Sequence, residues 1–418
     1  MSTLMLFILS RAAGSLIKFT LYSSLFLQAV MVASMMTISV IFGVILLIPL
    51  LLTAWYIYAV RRRIPFAAAH VEIAVDATRS HSGVYFFSFI MVFVQAAWVI
   101  LWSLAALGVE NIINNGPTNA QDGTINPNNT SGGNNGQTRV GAIVVFVMLV
   151  SFLWGVQVFK YICHFVVAAV TGHWWYLASP SAPVKGSIYR AFTTSFGSLA
   201  LGGLVVAVLE ATRRFARAIM NRAEQRGDNA LAFLACLVLC IIGCVESLIV
   251  YLNIWAIIQC ALTGHDFRTS GHEAWELFKK RGFTAIINDD LVGTALQISS
   301  IMIAMASAVV GGGLVFMSMP SSSSRTVIAG LAAALCFFVG LGMSGIMLAV
   351  ISSSVRTIFV CFAMNPNALA STHPESLTKL VNAWNTFHPR VFADCGYASQ
   401  FSGTVTPNAY SPAYATAL

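Results

Sequence analysis

Long uncharged, apolar runs recur along this chain and are broken only by short polar segments. Lys18 to Arg61 encloses 42 residues without a charge, enough for two membrane crossings, with a turn placed near Ser34–Thr37. Arg79 to Glu110 encloses 30, Asp290 to Arg325 encloses 34, and Arg325 to Arg356 encloses 30. A transmembrane helix needs about 20 mostly apolar residues. The runs are continuous rather than alternating, which argues against barrel strands. The pattern predicts an all-α, polytopic integral membrane helix bundle of about eight spans. They fall at residues 16–37, 39–60, 84–108, 140–162, 191–212, 231–262, 291–318 and 326–352. The weakest is 231–262, which carries Glu246 in its middle. A re-entrant or interfacial helix is the other reading there. Residues 16–37 read as a retained first span, because no small-residue cleavage pattern precedes a soluble domain.

Composition agrees. Hydrophobic residues make up 57% of the chain, charged residues only 9%, and the mean hydropathy is +0.78. Ordinary globular domains carry roughly 25% charged residues, so a soluble fold could not cover its surface. Disorder and a disulfide scaffold are excluded by the same numbers. The net charge of +8 does not imply nucleic acid, because Lys and Arg are dispersed among short inter-span segments.

Lys and Arg also set orientation, being enriched in cytoplasmic loops. The knot Arg61-Arg62-Arg63 after the second span is expected inside, and the N-terminus with it. The segment Arg61–Ser80 then reads as a cytoplasmic, partly interfacial helix with Pro65 in its first turn. Residues 111–138 become an extracellular Asn/Gly-rich loop with overlapping glycosylation sequons at Asn128 and Asn129. Residues 361–418 read as a cytoplasmic tail. One conflict stands: strict alternation puts Arg213, Arg214, Arg217, Arg222 and Arg226 outside, against the charge rule.

Few motifs carry chemistry. Gly340, Gly342 and Gly345 form GxGxxG, but inside a span, so we read them as close helix packing rather than a nucleotide site. Cys236, Cys240 and Cys244 share a helix face and lack the loop-borne partners of a Zn site. No phosphate loop, GxSxG or HExxH occurs. No ATP site, metal, cofactor or enzyme activity is therefore expected. Ser270 is read as a helix cap, with Glu273 completing a capping box. Glu246 is the polar group of most interest. A carboxylate at that depth costs roughly 2.5–3.5 kcal/mol on insertion scales and normally faces a bundle interior or a water-filled path. Glu210, Gln157, Gln95, His164 and Gln259 are weaker cases. Trp98 and Trp102 lie one turn apart on one face of a span, and Trp154 and Tyr161 share another face. Aromatic faces attract a quaternary ammonium without hydrogen bonds; core packing is the competing reading for each ring.

The inter-span segments are the least generic parts. They include Arg61-Arg62-Arg63-Ile64-Pro65-Phe66, His173-Trp174-Trp175-Tyr176, Arg190 to Ala200 (RAFTTSFGSLA), Tyr251 to Ala261 followed by Gly264-His265-Asp266-Phe267, Ile287 to Leu291 (INDDL), and Cys361-Phe362 with Asn365-Pro366. In this order they resemble the choline transporter-like family, its fungal and protist branch most of all. Members of that family have about ten spans with a long extracellular loop after the first. Relative to that pattern, the first span, the loop and the next span are expected to be missing from this sequence. The resemblance implies a plasma-membrane carrier of choline or a related organic cation, working by alternating access without ATP hydrolysis. An aromatic cage of Trp98, Trp102, Trp154 and Tyr161 would hold the cation, with Glu246 for charge compensation. The partners expected are that small cation and the lipid bilayer. A non-transporting membrane scaffold or regulatory protein is the alternative class.

Overall fold

In the absence of water, the polar groups of the backbone must hydrogen-bond to one another, and a helix satisfies them within one segment. The computed structural model describes residues 40–60, 64–114, 134–177, 183–226, 229–281, 291–318 and 325–401, with scattered positions between 22 and 36. Its regular structure there is helical. The elements are α1 (Val40–Val60), α2 (Ile64–Arg79), α3 (Gly83–Asn114), α4 (Asn134–Tyr176), α5 (Pro183–Phe192), α6 (Phe196–Arg226) and α7 (Asn229–Thr263). They continue as α8 (Phe267–Arg281), α9 (Leu291–Ser318), α10 (Arg325–Met364), α11 (Asn367–Thr372), α12 (Pro374–Phe387), α13 (Pro389–Asp394) and α14 (Tyr397–Gln400).

Among the described residues, six stretches are long and apolar enough to cross a membrane. They are Gly83–Val109, Ile143–Tyr176, Phe196–Gln225, Cys236–Thr263, Leu296–Ser318 and Val327–Met364. Six of the eight expected spans therefore have a helical counterpart of this kind. The expected span 39–60 forms the 21-residue α1. The expected span 16–37 lies almost wholly outside the described residues, as do Asn128 and Asn129. Several helices outrun the spans read from charge gaps. Lys160, inside the expected span 140–162, sits exposed on an unbroken α4, because a long basic side chain can lie along a helix and reach water. The segment 231–262 belongs to a continuous 35-residue helix.

The chain divides into two compact units. The first comprises Met1–Tyr85, Val167–Val184 and Trp275–Leu418. Within it α9 and α10 pack by small residues. A Cβ on Gly340 would lie 2.8 Å from Ser307 Oγ, and one on Gly312 2.7 Å from Ala333 Cβ. The hydroxyls of Ser300 and Ser344 meet at 2.8 Å. The GxGxxG glycines thus belong to a helix pair and not to a strand–helix turn.

Helix α2 differs from the interfacial expectation. Its side chains are buried almost all round, leaving a stripe of Pro65, Glu72, Asp76 and Arg79. It packs against α10 and α12. Phe66 meets Trp384 edge-on at 5.3 Å, and His70 stacks on Phe359 at 4.3 Å. Lys379 on α12 pairs with Glu72 at 2.6 Å. His70 is fully buried and its Nδ1 lies 2.9 Å from the Phe66 carbonyl; burial lowers its pKa to about 4. The region read as a tail from residue 361 is likewise folded as far as Phe401. Helix α10 runs to Met364, and Trp384, Phe392 and Tyr397 are each 1% exposed. The short helices α11 to α14 carry too few apolar residues for a span, so run length could not reveal them.

Candidate functional site

The second unit, Phe86–Val166 with Lys185–Ala274, holds every residue that sequence singled out for substrate binding. Its centre is α4. At about 100° per residue, Phe152, Gly155 and Phe159 form one side of that helix, and Trp154, Gln157, Val158 and Tyr161 form the other. The first side receives α3. The Trp98 indole fills the place where a side chain on Gly155 would be, lies 6.2 Å from Phe159, and donates from Nε1 to the Phe152 carbonyl at 3.4 Å. Trp102 packs on Phe152 at 4.6 Å.

The second side receives α6. Phe146 meets Phe215 at 5.5 Å, and Leu153 clusters with Ala207 and Ala211. Val158 packs at Gly203. The numbering falls on one helix as it rises on the other, so α4 and α6 are antiparallel. Trp154 donates from Nε1 to the Ala200 carbonyl at 2.8 Å. Tyr161 is 1% exposed, and its hydroxyl accepts from Asn253 Nδ2 on α7 at 2.9 Å. Asn253 Nδ2 also donates to the Gly202 carbonyl at 2.8 Å. The four aromatic residues therefore do not share one side of α4. Trp98 and Trp102 stand on the α3 side, Trp154 and Tyr161 on the α6 side.

Two carboxylates of this unit pair with arginines of α6. Arg213 lies 3.0 Å from Glu246, whose side chain is 14% exposed. Arg214 pairs with Glu210, which also accepts from Gln157 Nε2 at 3.3 Å. This bears on the charge-rule conflict. The five arginines follow α6 to its end and are not loop residues, and two of them neutralise carboxylates of this unit. Because α4 and α6 are antiparallel, the C-terminal end of α6 lies towards the N-terminal end of α4.

Local chemistry ends α7. Gly264 has φ +80°, the left-handed conformation that favours glycine at a helix C-terminus. Arg190 Nη2 donates to the Ala261 carbonyl at 3.0 Å, a cation on the last turn. The cap of α8 is Asp266, not Ser270. Asp266 Oδ2 accepts from the amides of Arg268 and Thr269 at 3.1 and 3.3 Å, and its hydrogen bonds from Thr269, side chain first, hold its pKa below the usual carboxylate value. Ser270 is buried inside the helix. Glu273 bonds instead to His265 at 2.7 Å and Gln259 at 3.2 Å. Sequence reasoning did not single out Asn253 as a site residue. A signal existed: Asn253 is the single amide between Ser247 and Ile258.

Residues 44–367 match the family model for the plasma-membrane choline transporter. Curated relatives include the protein PNS1 of Yarrowia lipolytica, 27% identical over 338 residues, covering 80% of this chain and 58% of that one. PNS1 of Gibberella zeae is 28% identical over 344 residues, covering 82% and 62%. PNS1 of Saccharomyces cerevisiae is 26% identical over 349 residues, covering 82% and 64%. The chain thus spans about three-fifths of the length of these relatives.

Proposed function

The chain belongs to the plasma-membrane choline transporter family, and from that membership we propose that it carries choline or a closely related organic cation. The match over residues 44–367 is the observation that carries this reading. Carriage is by alternating access at the plasma membrane, as the family membership suggests, and without ATP hydrolysis, since the sequence contains no phosphate loop. The substrate's fixed charge is met by aromatic faces, because a quaternary ammonium offers no N–H donor. Trp154 and Tyr161, together on the α6 side of α4, are the proposed faces for one cation; Trp98 and Trp102, on the α3 side, are a separate candidate pair. Glu246 contributes charge compensation as one half of its pair with Arg213.

Saturable uptake of labelled choline into proteoliposomes holding the whole chain tests the reading. Trp154→Ala is expected to raise the half-saturation concentration about tenfold, the equivalent of about 1.4 kcal/mol, in uptake normalised to inserted protein. Unchanged normalised affinity in Trp98, Trp102 and Trp154 variants would assign all three rings to packing. A non-transporting scaffold predicts no saturable uptake at all.

A further inference from the structure

Asn253 on α7 is 3% exposed and holds an unusual balance of bonds. A backbone carbonyl only accepts, so the Gly202 oxygen at 2.8 Å fixes the amide with Nδ2 towards it. The second N–H of the same nitrogen goes to the Tyr161 hydroxyl at 2.9 Å. Both donors are thereby used. The acceptor Oδ1 is buried and has no hydrogen-bond partner among the described residues. Buried acceptors are nearly always satisfied, and an exception calls for an explanation.

The surroundings supply one. Oδ1 lies 2.8 Å from where a Cβ on Gly202 would stand, and the Phe267 ring lies 3.0 Å from the same point. At the neighbouring Gly203, a Cβ would stand 3.5 Å from Trp154 Cδ1. Gly202 thus faces both the unsatisfied oxygen and the Phe267 ring, Gly203 beside it faces the Trp154 ring, and the Tyr161 hydroxyl meets the nitrogen of the same amide. The Trp154 indole is held in place by its bond to Ala200. Aromatic faces suit a quaternary ammonium, which has no N–H to donate. A lone acceptor suits a hydroxyl that donates, and it repels a carboxylate.

We propose that Asn253 Oδ1 accepts the hydroxyl of an alcohol-bearing quaternary ammonium substrate, and so sets selectivity for choline over cations without that O–H. The proposal rests on the carrier reading above. It assigns Phe267 as a further ring of the site, and gives Gly202 and Gly203 the task of admitting these groups to α6.

The test is competition against labelled choline in proteoliposomes of the whole chain. The competitors are choline, its O-methyl ether, which lacks the O–H donor, and propyltrimethylammonium, which replaces the hydroxyl by methyl. Wild type is expected to need about tenfold more of either analogue than of choline, a difference of about 1.4 kcal/mol. Asn253→Leu should erase that preference while leaving the affinity for propyltrimethylammonium within about twofold. Asn253→Asp keeps an acceptor and should keep the preference. Equal competition by all three cations in wild type would overturn the proposal without touching the carrier reading, and so would a preference that survives in Asn253→Leu. Should the Leu variant fail to insert, the wild-type ranking together with Asn253→Asp decides. Absence of saturable choline uptake in wild type would sink the carrier reading and this proposal together.

Discussion

Removing Arg213 should cost more than removing Glu246, and removing both should cost less than Arg213 alone. The two groups are 3.0 Å apart, with the Glu246 side chain 14% and the Arg213 side chain 40% exposed. Breaking a fully buried pair costs about 3–5 kcal/mol. Arg213 is too exposed for that whole figure, since exposed pairs are worth only about 0–1 kcal/mol. The two bounds place Arg213→Gln at about 2–3 kcal/mol, in line with the roughly 2.5–3.5 kcal/mol of an unpaired acid within a span. In Glu246→Gln the arginine can turn towards water, and the loss falls to about 1 kcal/mol. The double variant buries no unpaired charge and should lose about 1 kcal/mol, leaving a coupling of about 2–3 kcal/mol, within the range for contacting residues. Unfolding free energies in mixed micelles, measured for all four proteins, give the coupling directly. Losses that simply add would show that the pair is incidental. Choline uptake by the double variant separates stability from binding: normalised affinity equal to wild type would remove Glu246 from the substrate site.

Three further outcomes are expected. His70 is held neutral by burial, with its pKa lowered from 6.5 to about 4; the unfolded chain therefore binds the extra proton first, and stability present above pH 6.5 declines as pH falls towards 4, by up to about 3 kcal/mol. His70→Phe should flatten that decline in pH-dependent melting, and an unchanged slope would contradict the buried neutral imidazole. Gly340→Leu should destabilise the α9–α10 pair by about 1–3 kcal/mol through overpacking, whereas a Cβ on Gly342 meets open space, and Gly342→Leu should melt like wild type; equal losses would dispose of the packing account. Cysteines introduced at Asn119 and at Asp228 should react with an impermeant maleimide from the same side of the membrane, with Cys236, Cys240 and Cys244 first changed to Ser, because α4 and α6 are antiparallel; labelling from opposite sides would refute that arrangement.

Much of the molecule is legible in one dimension because a membrane asks a one-dimensional question. A backbone out of water must bond to itself, so the length of an apolar run is nearly enough to predict a helix, and α3, α4, α6, α7, α9 and α10 lie where such runs lie. Small residues inside a run predict close packing for the same kind of reason, and Gly340 against Ser307 bears it out. The ordered inter-span segments pointed to the family that residues 44–367 match. Even so, helix ends do not follow from charge gaps: the span expected over 140–162 lies within a helix that continues to Tyr176.

What sequence could not reveal depends on partners far along the chain. A carboxylate within a run poses a cost, but only packing decides which cation offsets it, and for Glu246 that is Arg213, 33 residues earlier. Two aromatic pairs at helical spacing each share a face, yet which neighbour each face meets is settled when α3 and α6 take opposite sides of α4. Capping went to Asp266 over Ser270 because Gly264 ends α7 just before it. Residues beyond 361 have no long apolar run, and fold because α2 and α10 offer them Phe66, Phe359 and Phe362 to cover. Sequence alone thus determined that the chain forms membrane-length helices, since that follows from local burial of the backbone. Only the tertiary structure decided which polar and aromatic groups meet, since those contacts join residues that no local pattern links.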